Sequence, residues 1–452
     1  MALRPPAAPP AADVLVARIA AELAASAIVV DDQATWLAPQ LADRSDATTA
    51  GEGAAVSTMG RTGATCLYDG SAGIGWALAV VGVQRGDEQL RRLAVAAVRH
   101  ALANTSAEGP AGLYDGAAGV GLAAIAVGGL VASTPLRAAG VELLRAAGAS
   151  TPASDDLVDG SAGIALACLR GAELTGQTDL LSAARHHADA LLTRADRHPW
   201  GWSWAAPDGP GLCGLAHGAA GGAWALGEVA AALQRAGDPV PVPRAGGEPP
   251  TGEPAADHRP TAGPDHATAA RLRAASDAAR RYERSWFDPG TNTWPDLRAD
   301  VAAPGGTAPR PSLWCHGGVG IALSRLALHR SDPRPALAGE AVAARVAACR
   351  DAVEQVRGGV LPSGLTVCHG LGGTLALLVT TAEQLGVPED LDTARSLLAE
   401  ALLHLGGDPA RWPGGLLGEP GPGLMTGLAG TMLVLAALDD PRAAWPLTRL
   451  GG

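Results

Sequence analysis

The stretch Leu67-Tyr68-Asp69-Gly70-Ser71-Ala72-Gly73 decides the fold, because closely similar strings return along the chain. Each copy contains the spacing Gly-x-x-Gly and runs into an apolar segment. There are seven copies, with first glycines at Gly70, Gly116, Gly160, Gly218, Gly317, Gly370 and Gly427. Most intervals between the first glycines fall between 44 and 58 residues, a length that holds two helices and their loops. The sequence is therefore a repeat of helical hairpins.

The segments between the copies support this interpretation. Residues 88–103, 180–194, 266–286 and 338–356 are charged, rich in Ala, Leu and Arg, and helical in spacing. They predict outer helices, whereas the apolar segments after the glycines predict buried inner helices. We expect an all-α fold, an α/α toroid of seven helical hairpins that forms a double-layered α-barrel. An open solenoid is the alternative, but helices that are apolar all round favour closure.

The domain organisation follows from the repeat. Residues 1–12 form a Pro/Ala-rich tail that we expect to be disordered, and residues 13–452 form one toroidal domain. The interval between the fourth and fifth copies is about twice the usual length. It contains a segment rich in Pro, Gly, Glu and Asp at about 237–264, which predicts a disordered insertion.

Composition excludes several classes of protein. The chain has 452 residues, 47% of them hydrophobic, and a net charge of −11, which argues against a nucleic-acid partner. We find no signal peptide and no apolar run long enough to span a membrane, so we expect a cytoplasmic protein. In that compartment its six cysteines are better interpreted as metal ligands and buried thiols than as disulfides. Cys66, Cys168, Cys213 and Cys349 are expected in the core.

The residue before the first glycine of each copy carries the chemistry. It is Asp69, Asp115, Asp159, His217, His316, His369 and Thr426 in turn. Since each precedes an inner helix, all seven should lie at one end of the ring. The aspartates could be helix caps, which is the preferred interpretation for Asp69 and Asp115. Three successive histidines, two of them preceded by cysteine, instead favour a functional site.

Metal binding is the natural interpretation of Cys315-His316 and Cys368-His369. Thiolate and imidazole are the ligands that zinc prefers. Four protein ligands would make a closed structural site, and three would leave a position open for catalysis. The sequence pattern alone leaves both open, together with the plainer alternative of two buried thiols and two hydrogen-bonded imidazoles.

With these motifs the chain resembles the lanthionine synthetase C family, which comprises LanC cyclases and LanC-like relatives. The resemblance spans residues 60–440 and rests on Ala216-His217-Gly218, Trp314-Cys315-His316-Gly317 and Cys368-His369-Gly370. It implies a toroid with one Zn²⁺ held by Cys315, Cys368 and His369, whose fourth position is open to water or a substrate thiol.

The resemblance also implies the acid–base residues. His217 matches the family histidine, and Asp156 matches an aspartate that opens an Asp-x-x-x-Gly string. Asp159, His316 and Arg310 are candidates for substrate binding. The chain departs from the family at two of these positions. Cyclases often have a tyrosine after the cysteine of the fifth copy, whereas this chain has His316, as LanC-like relatives do. An arginine usually lies four residues before that cysteine, but position 311 is proline here and Arg310 is displaced by one.

The implied function is a cyclase that adds peptide cysteine thiols to dehydroalanine or dehydrobutyrine and so forms lanthionine or methyllanthionine rings. A dehydrated precursor peptide is the implied substrate, and a separate dehydratase and a transporter are implied partners. The alternatives are a thiol transferase that adds glutathione, and a non-catalytic zinc- or glutathione-binding protein. A toroidal glycosidase or prenyltransferase is a rival at the level of the fold, although 3% aromatic residues disfavour a sugar cleft.

Overall fold

The computed structural model describes residues 10–38, 61–62, 64–204, 210–237, 264–298, 308–415, 418, 421–444 and 446. These residues form α-helices in two layers. The inner layer contains α2 (Ser71–Gln84), α4 (Ala117–Leu130), α6 (Ser161–Thr175), α8 (Ala219–Gly237), α10 (Gly318–Ser331), α12 (Leu371–Leu385) and α14 (Leu428–Ala437). The outer layer contains α1 (Ala12–Ala25), α3 (Glu88–Ala103), α5 (Thr134–Gly148), α7 (Thr178–Arg194), α9 (Pro264–Ser285), α11 (Pro335–Arg357) and α13 (Glu389–Leu405).

The pattern of buried residues distinguishes the inner helices from the outer helices. In α2 every residue from Ser71 to Ala79 is buried, as expected for a helix surrounded by protein. In α3 the buried residues recur at helical spacing on one face, namely Leu90, Ala94, Ala97, Val98 and Ala101. The predicted inner and outer helices are therefore confirmed.

The ring is closed, which excludes the open solenoid. Each inner helix contacts the next one in chain order, and α14 contacts α2. The seventh helix pair is not a hairpin in sequence, because the outer partner of α14 is α1 from the other end of the chain. The apolar face of α1 is buried there, and Arg18 donates a hydrogen bond to the Gly407 carbonyl at 2.7 Å.

The described part of the chain also contains three small antiparallel ribbons, which lie outside the helices. They pair β1 (Ile28–Val30) with β2 (Gln33–Thr35), β3 (Leu37–Ala38) with β4 (Arg61–Thr62), and β5 (Asp196–His198) with β6 (Gly201–Ser203). β2 packs on α3 and β6 packs on α9. Of the two segments predicted to be disordered, residues 1–9 and 238–263 lie outside the described residues. Helix α1 begins at Ala12. Helix α8 ends at Gly237, and helix α9 begins at Pro264.

Seven loops, numbered one to seven in chain order, precede the inner helices and meet at one end of the barrel. A backbone N–H of one loop donates to a carbonyl of its neighbour at 2.8–3.2 Å: Met425 to Tyr68, Tyr68 to Tyr114, Tyr114 to Val158, Leu157 to Ala216, Ala216 to Cys315, and Cys368 to Met425. Between loops five and six, the Cys315 Sγ lies 3.7 Å from the Cys368 carbonyl oxygen. The expected convergence of the loops is therefore observed.

The glycines of the repeat allow each loop to fold back on its own helix. A Cβ at the second glycine would lie within 1.7–2.6 Å of the carbonyl oxygen six residues earlier in all seven copies. That close approach lets loop carbonyls accept the first N–H groups of the helices, for example Ser71 N–H to Ala64 at 2.9 Å. The prediction that aspartates cap these helices is wrong. The caps are Gly70, Gly116 and Gly160, without side-chain hydrogen bonds, because loop carbonyls take the N–H groups.

We expect Gly119→Ala to destabilise the barrel by about 3 kcal/mol, the upper range for overpacking a filled interior. Its Cβ would lie 1.7 Å from the Leu113 carbonyl oxygen. Gly129→Ala in the same helix meets nothing within 4 Å. This control should be neutral or stabilising by about 0.5–1 kcal/mol, because alanine is the better helix former. Urea unfolding measures both, and equal effects of the two substitutions would contradict this role of Gly119.

Candidate active site

Loops five and six bring together the metal-ligand candidates. The Cys315 and Cys368 sulfurs and a ring nitrogen of His369 lie within 4.8 Å of one another. Cys315 and Cys368 are buried, and His369 is partly buried. The other four cysteines are also free. Cys168 and Cys213 are buried as predicted, whereas Cys66 and Cys349 are only partly so.

The three donors fit a zinc ion. Two sulfurs and one imidazole are ligands that zinc takes in open sites. The Cys368 Sγ lies 3.9 Å from the His369 Nε2, and the buried Nδ1 of His369 has no hydrogen-bond partner among the described residues. A buried nitrogen of this kind is costly unless something binds it. The cluster therefore has the donor atoms that zinc prefers and a buried ring nitrogen that lacks a hydrogen-bond partner among the described residues.

The two thiols differ in acidity. A hydrogen bond from Cys368, outweighing burial, lowers the pKa of Cys315 well below its ordinary value, and His369 acts in the same direction. Burial and the neighbouring Cys315 raise the pKa of Cys368 well above its ordinary value. Protein groups alone thus favour one thiolate and one thiol. A bound cation would favour the ionisation of both.

A histidine–aspartate pair lies in the adjoining loops. The His217 Nδ1 and the Asp156 Oδ2 are 2.6 Å apart, although 61 residues separate them in sequence. The other carboxylate oxygen of Asp156 accepts the N–H groups of Val158 and Asp159 at 2.9 and 3.0 Å. These bonds fix the carboxylate, which in turn orients the imidazole. His217 lies in loop four, and Ala216 beside it donates to the Cys315 carbonyl at 3.2 Å.

Each partner of the pair favours the charged form of the other. Partial burial opposes the charge on His217, but the hydrogen bond and the charge of Asp156 outweigh it and raise the pKa of His217. Burial likewise opposes the ionisation of Asp156, yet His217 and the Asp159 N–H lower its pKa overall. Partial desolvation and Asp159 together raise the pKa of Asp115 to about 6. Asp115 therefore keeps its proton to a higher pH than an ordinary aspartate does.

The structure separates His316 from the metal-ligand cluster. The His316 ring packs on the His217 ring with centroids 5.8 Å apart, and its Nδ1 lies 3.9 Å from the Asp296 Oδ1. Arg310 donates to the Thr293 carbonyl at 3.0 Å. Asp159 is exposed beside Asp156. His316 and Asp159 thus lie next to the His217–Asp156 pair, whereas Arg310 donates its hydrogen bond to Thr293.

Two contacts at the site were not predicted from the sequence. The Tyr68 hydroxyl donates to the Cys368 Sγ at 3.0 Å, and Asp69 accepts the Thr426 hydroxyl at 2.7 Å. Both join loop one to loops that lie about 300 residues or more away in sequence. The only signal available was that Tyr68 and Cys368 occupy the same position of the repeat, two residues before the first glycine.

A family model described as lanthionine synthetase C-like protein matches residues 64–238 and 264–450. The chain belongs to the lanthionine synthetase C-like family. The match covers every inner helix described above, together with the candidate metal ligands and the His217–Asp156 pair. The family resemblance inferred from the motifs is therefore confirmed.

A solved structure supports the fold of this lanthionine synthetase C-like chain. This chain is similar to the structure titled nisin cyclase, with a TM-score of 0.53 and 17% sequence identity. The match covers 86% of this chain and 94% of the nisin cyclase chain. This similarity confirms the all-α toroid. None of the curated proteins compared with the chain matches it. Among the described residues, no helix combines the length and hydrophobicity needed to cross a membrane.

Proposed function

We propose that this lanthionine synthetase C-like protein is a zinc-dependent lanthipeptide cyclase. Its substrate is a dehydrated precursor peptide, and its products contain lanthionine or methyllanthionine rings. The observation that carries the proposal is the His217–Asp156 pair beside the cluster of Cys315, Cys368 and His369. This arrangement places a group that can transfer a proton next to a group that can bind a thiol.

The reaction adds a cysteine S–H across a carbon–carbon double bond. The sulfur forms a bond to the β-carbon of dehydroalanine or dehydrobutyrine, and a proton reaches the α-carbon. Zinc, when bound by Cys315, Cys368 and His369, supplies Lewis acidity that keeps a thiol ionised near neutral pH. His217 supplies the proton, since its hydrogen bond to Asp156 and the charge of Asp156 favour its charged form. The proton that the thiol releases on ionisation restores His217, so that the overall change is the addition of S–H. Asp156 orients His217 and stabilises its charge.

The remaining site residues are proposed to contact the peptide. His316 and Asp159 flank the acid–base pair, and Arg310 is a weaker candidate because of its hydrogen bond to Thr293. The cyclase would act in the cytoplasm on peptides supplied by a separate dehydratase, and a transporter would export the product.

Glutathione addition is the second candidate function. His316 stands where cyclases often have tyrosine, and it is buried against His217. To distinguish the functions, the zinc-loaded protein is incubated with a dehydrated peptide that contains cysteine, in the presence and absence of glutathione. Cyclisation removes a thiol that alkylating reagents can label and leaves the peptide mass unchanged, whereas transfer adds the mass of glutathione. If neither change exceeds the rate without protein, the catalytic proposal is wrong and a non-catalytic zinc- or glutathione-binding role remains.

A further inference from the structure

We propose that Tyr68 is a positioning residue for the metal centre. Its hydroxyl holds the Cys368 sulfur by a hydrogen bond and sets how strongly this sulfur donates electrons to the metal. The inference rests on the zinc site of the proposed function. It assigns a role to a residue that lies 300 positions from Cys368 in sequence.

The geometry of the contact is that of a hydrogen bond to sulfur. The Tyr68 Oη lies 3.0 Å from the Cys368 Sγ. The phenol is an edge-on neighbour of Tyr114, with ring centroids 6.2 Å apart and an interplanar angle of 84°. The Tyr68 side chain is partly buried. Its hydroxyl acts as the donor, and the bond is strengthened when a bound cation favours the thiolate form of Cys368.

Loop one is fixed on both sides of Tyr68. The Tyr68 N–H donates to the Tyr114 carbonyl, and its carbonyl accepts the Met425 N–H, each at 2.8 Å. Asp69 accepts the Thr426 hydroxyl at 2.7 Å and the Thr426 N–H at 3.3 Å. The same Met425 accepts the Cys368 N–H at 2.9 Å. Tyr68 and Cys368 are therefore held against one common backbone segment, so their side chains have little freedom to separate.

The hydrogen bond has two chemical consequences. It fixes the orientation of a ligand, and groups that orient metal ligands typically contribute about 10- to 100-fold to metal affinity. It also stabilises the lone pairs of the sulfur, so that charge transfer from sulfur to a bound metal requires more energy. A residue that only packed beside the site would not change the energy of charge transfer from sulfur to metal.

Tyr114 offers a matched control. It occupies the same position in loop two, and its ring contacts both Tyr68 and Trp314. Its buried hydroxyl has no hydrogen-bond partner among the described residues. Tyr114→Phe therefore removes the same atom from an adjacent ring without removing a hydrogen bond to sulfur.

The test compares full-length wild type, Tyr68→Phe and Tyr114→Phe, each loaded with Zn²⁺ or Co²⁺. We expect Tyr68→Phe to lose zinc to a competing chelator at about tenfold lower chelator concentration. We also expect its sulfur-to-cobalt charge-transfer band to move to lower energy. Tyr114→Phe should match the wild type in both measurements.

The outcomes separate this inference from the proposed function. If the wild type takes up neither metal, the zinc site itself is wrong. If the wild type is loaded and Tyr68→Phe has the same chelator competition and the same cobalt band, only the role of Tyr68 is wrong. Equal shifts in both tyrosine variants would also overturn it, because they would reflect packing of the rings.

Discussion

Cys368→Ala is expected to lose both zinc and thioether formation. Zinc sites in small proteins bind with about 10–16 kcal/mol in total, so one of three protein ligands carries on the order of 3–5 kcal/mol. Zinc affinity should therefore fall about 10²- to 10³-fold or more. Native mass spectrometry of the full chain measures the metal, and loss of labelled thiol in a dehydrated peptide measures the reaction.

The control for this variant is Cys168→Ala. Cys168 is a fully buried cysteine of α6 and lies outside the metal-ligand cluster. We expect it to retain one zinc and full activity, with at most a small loss of stability from the smaller side chain. If Cys368→Ala retained one tightly bound zinc, the assignment of the metal ligands would be wrong.

His217→Asn is expected to lower the rate of ring formation about 10²- to 10⁴-fold, the usual contribution of a positioned acid or base. Zinc content should stay at the wild-type value, because His217 does not belong to the cluster of Cys315, Cys368 and His369. His186→Asn, a substitution of an exposed histidine on α7, is the control. Unchanged rates in His217→Asn would remove the acid–base assignment.

The direction in which the rate of ring formation changes with pH distinguishes an acid role of His217 from a base role. Since Asp156 raises the pKa of His217, the imidazole stays charged above the ordinary histidine pKa of about 6.5. If His217 is the acid, the wild-type rate falls as pH rises through this raised pKa. Asp156→Asn lowers the pKa, so the fall should move to lower pH. A rate that increases with pH over the same range would instead assign His217 as the base.

The sequence predicted those parts of the fold that depend on local pattern. Helix α3 spans the predicted residues 88–103, because its amphipathic spacing is bounded by Asp87, whose side chain caps the helix. The metal-ligand cluster was also predicted, since the Cys-His strings are distinctive and the family resemblance selected three ligands from four. His316 was left over, and it faces Asp296 and His217.

Other features could not be predicted because they depend on which distant segments meet. The aspartates before the glycines looked like helix caps, but the folded loops offer backbone carbonyls to the same N–H groups. Asp69 binds Thr426, and Tyr68 binds Cys368, only because the ring closes. The pairing of α1 with α14 likewise has no local signal, since a solitary amphipathic helix does not specify its partner.

That pairing has a consequence for synthesis on the ribosome. Arg18 and Gly407, which are joined by a hydrogen bond, are 389 residues apart. At about 5–20 residues per second, α1 emerges about 20–80 s before the segment that completes its site. Throughout this interval Leu15, Ile19 and Leu23, which are fully buried in the finished barrel, lack their final partners. Helix α1 is thus made long before the segments against which it docks, and its apolar face stays without these partners until α14 is released.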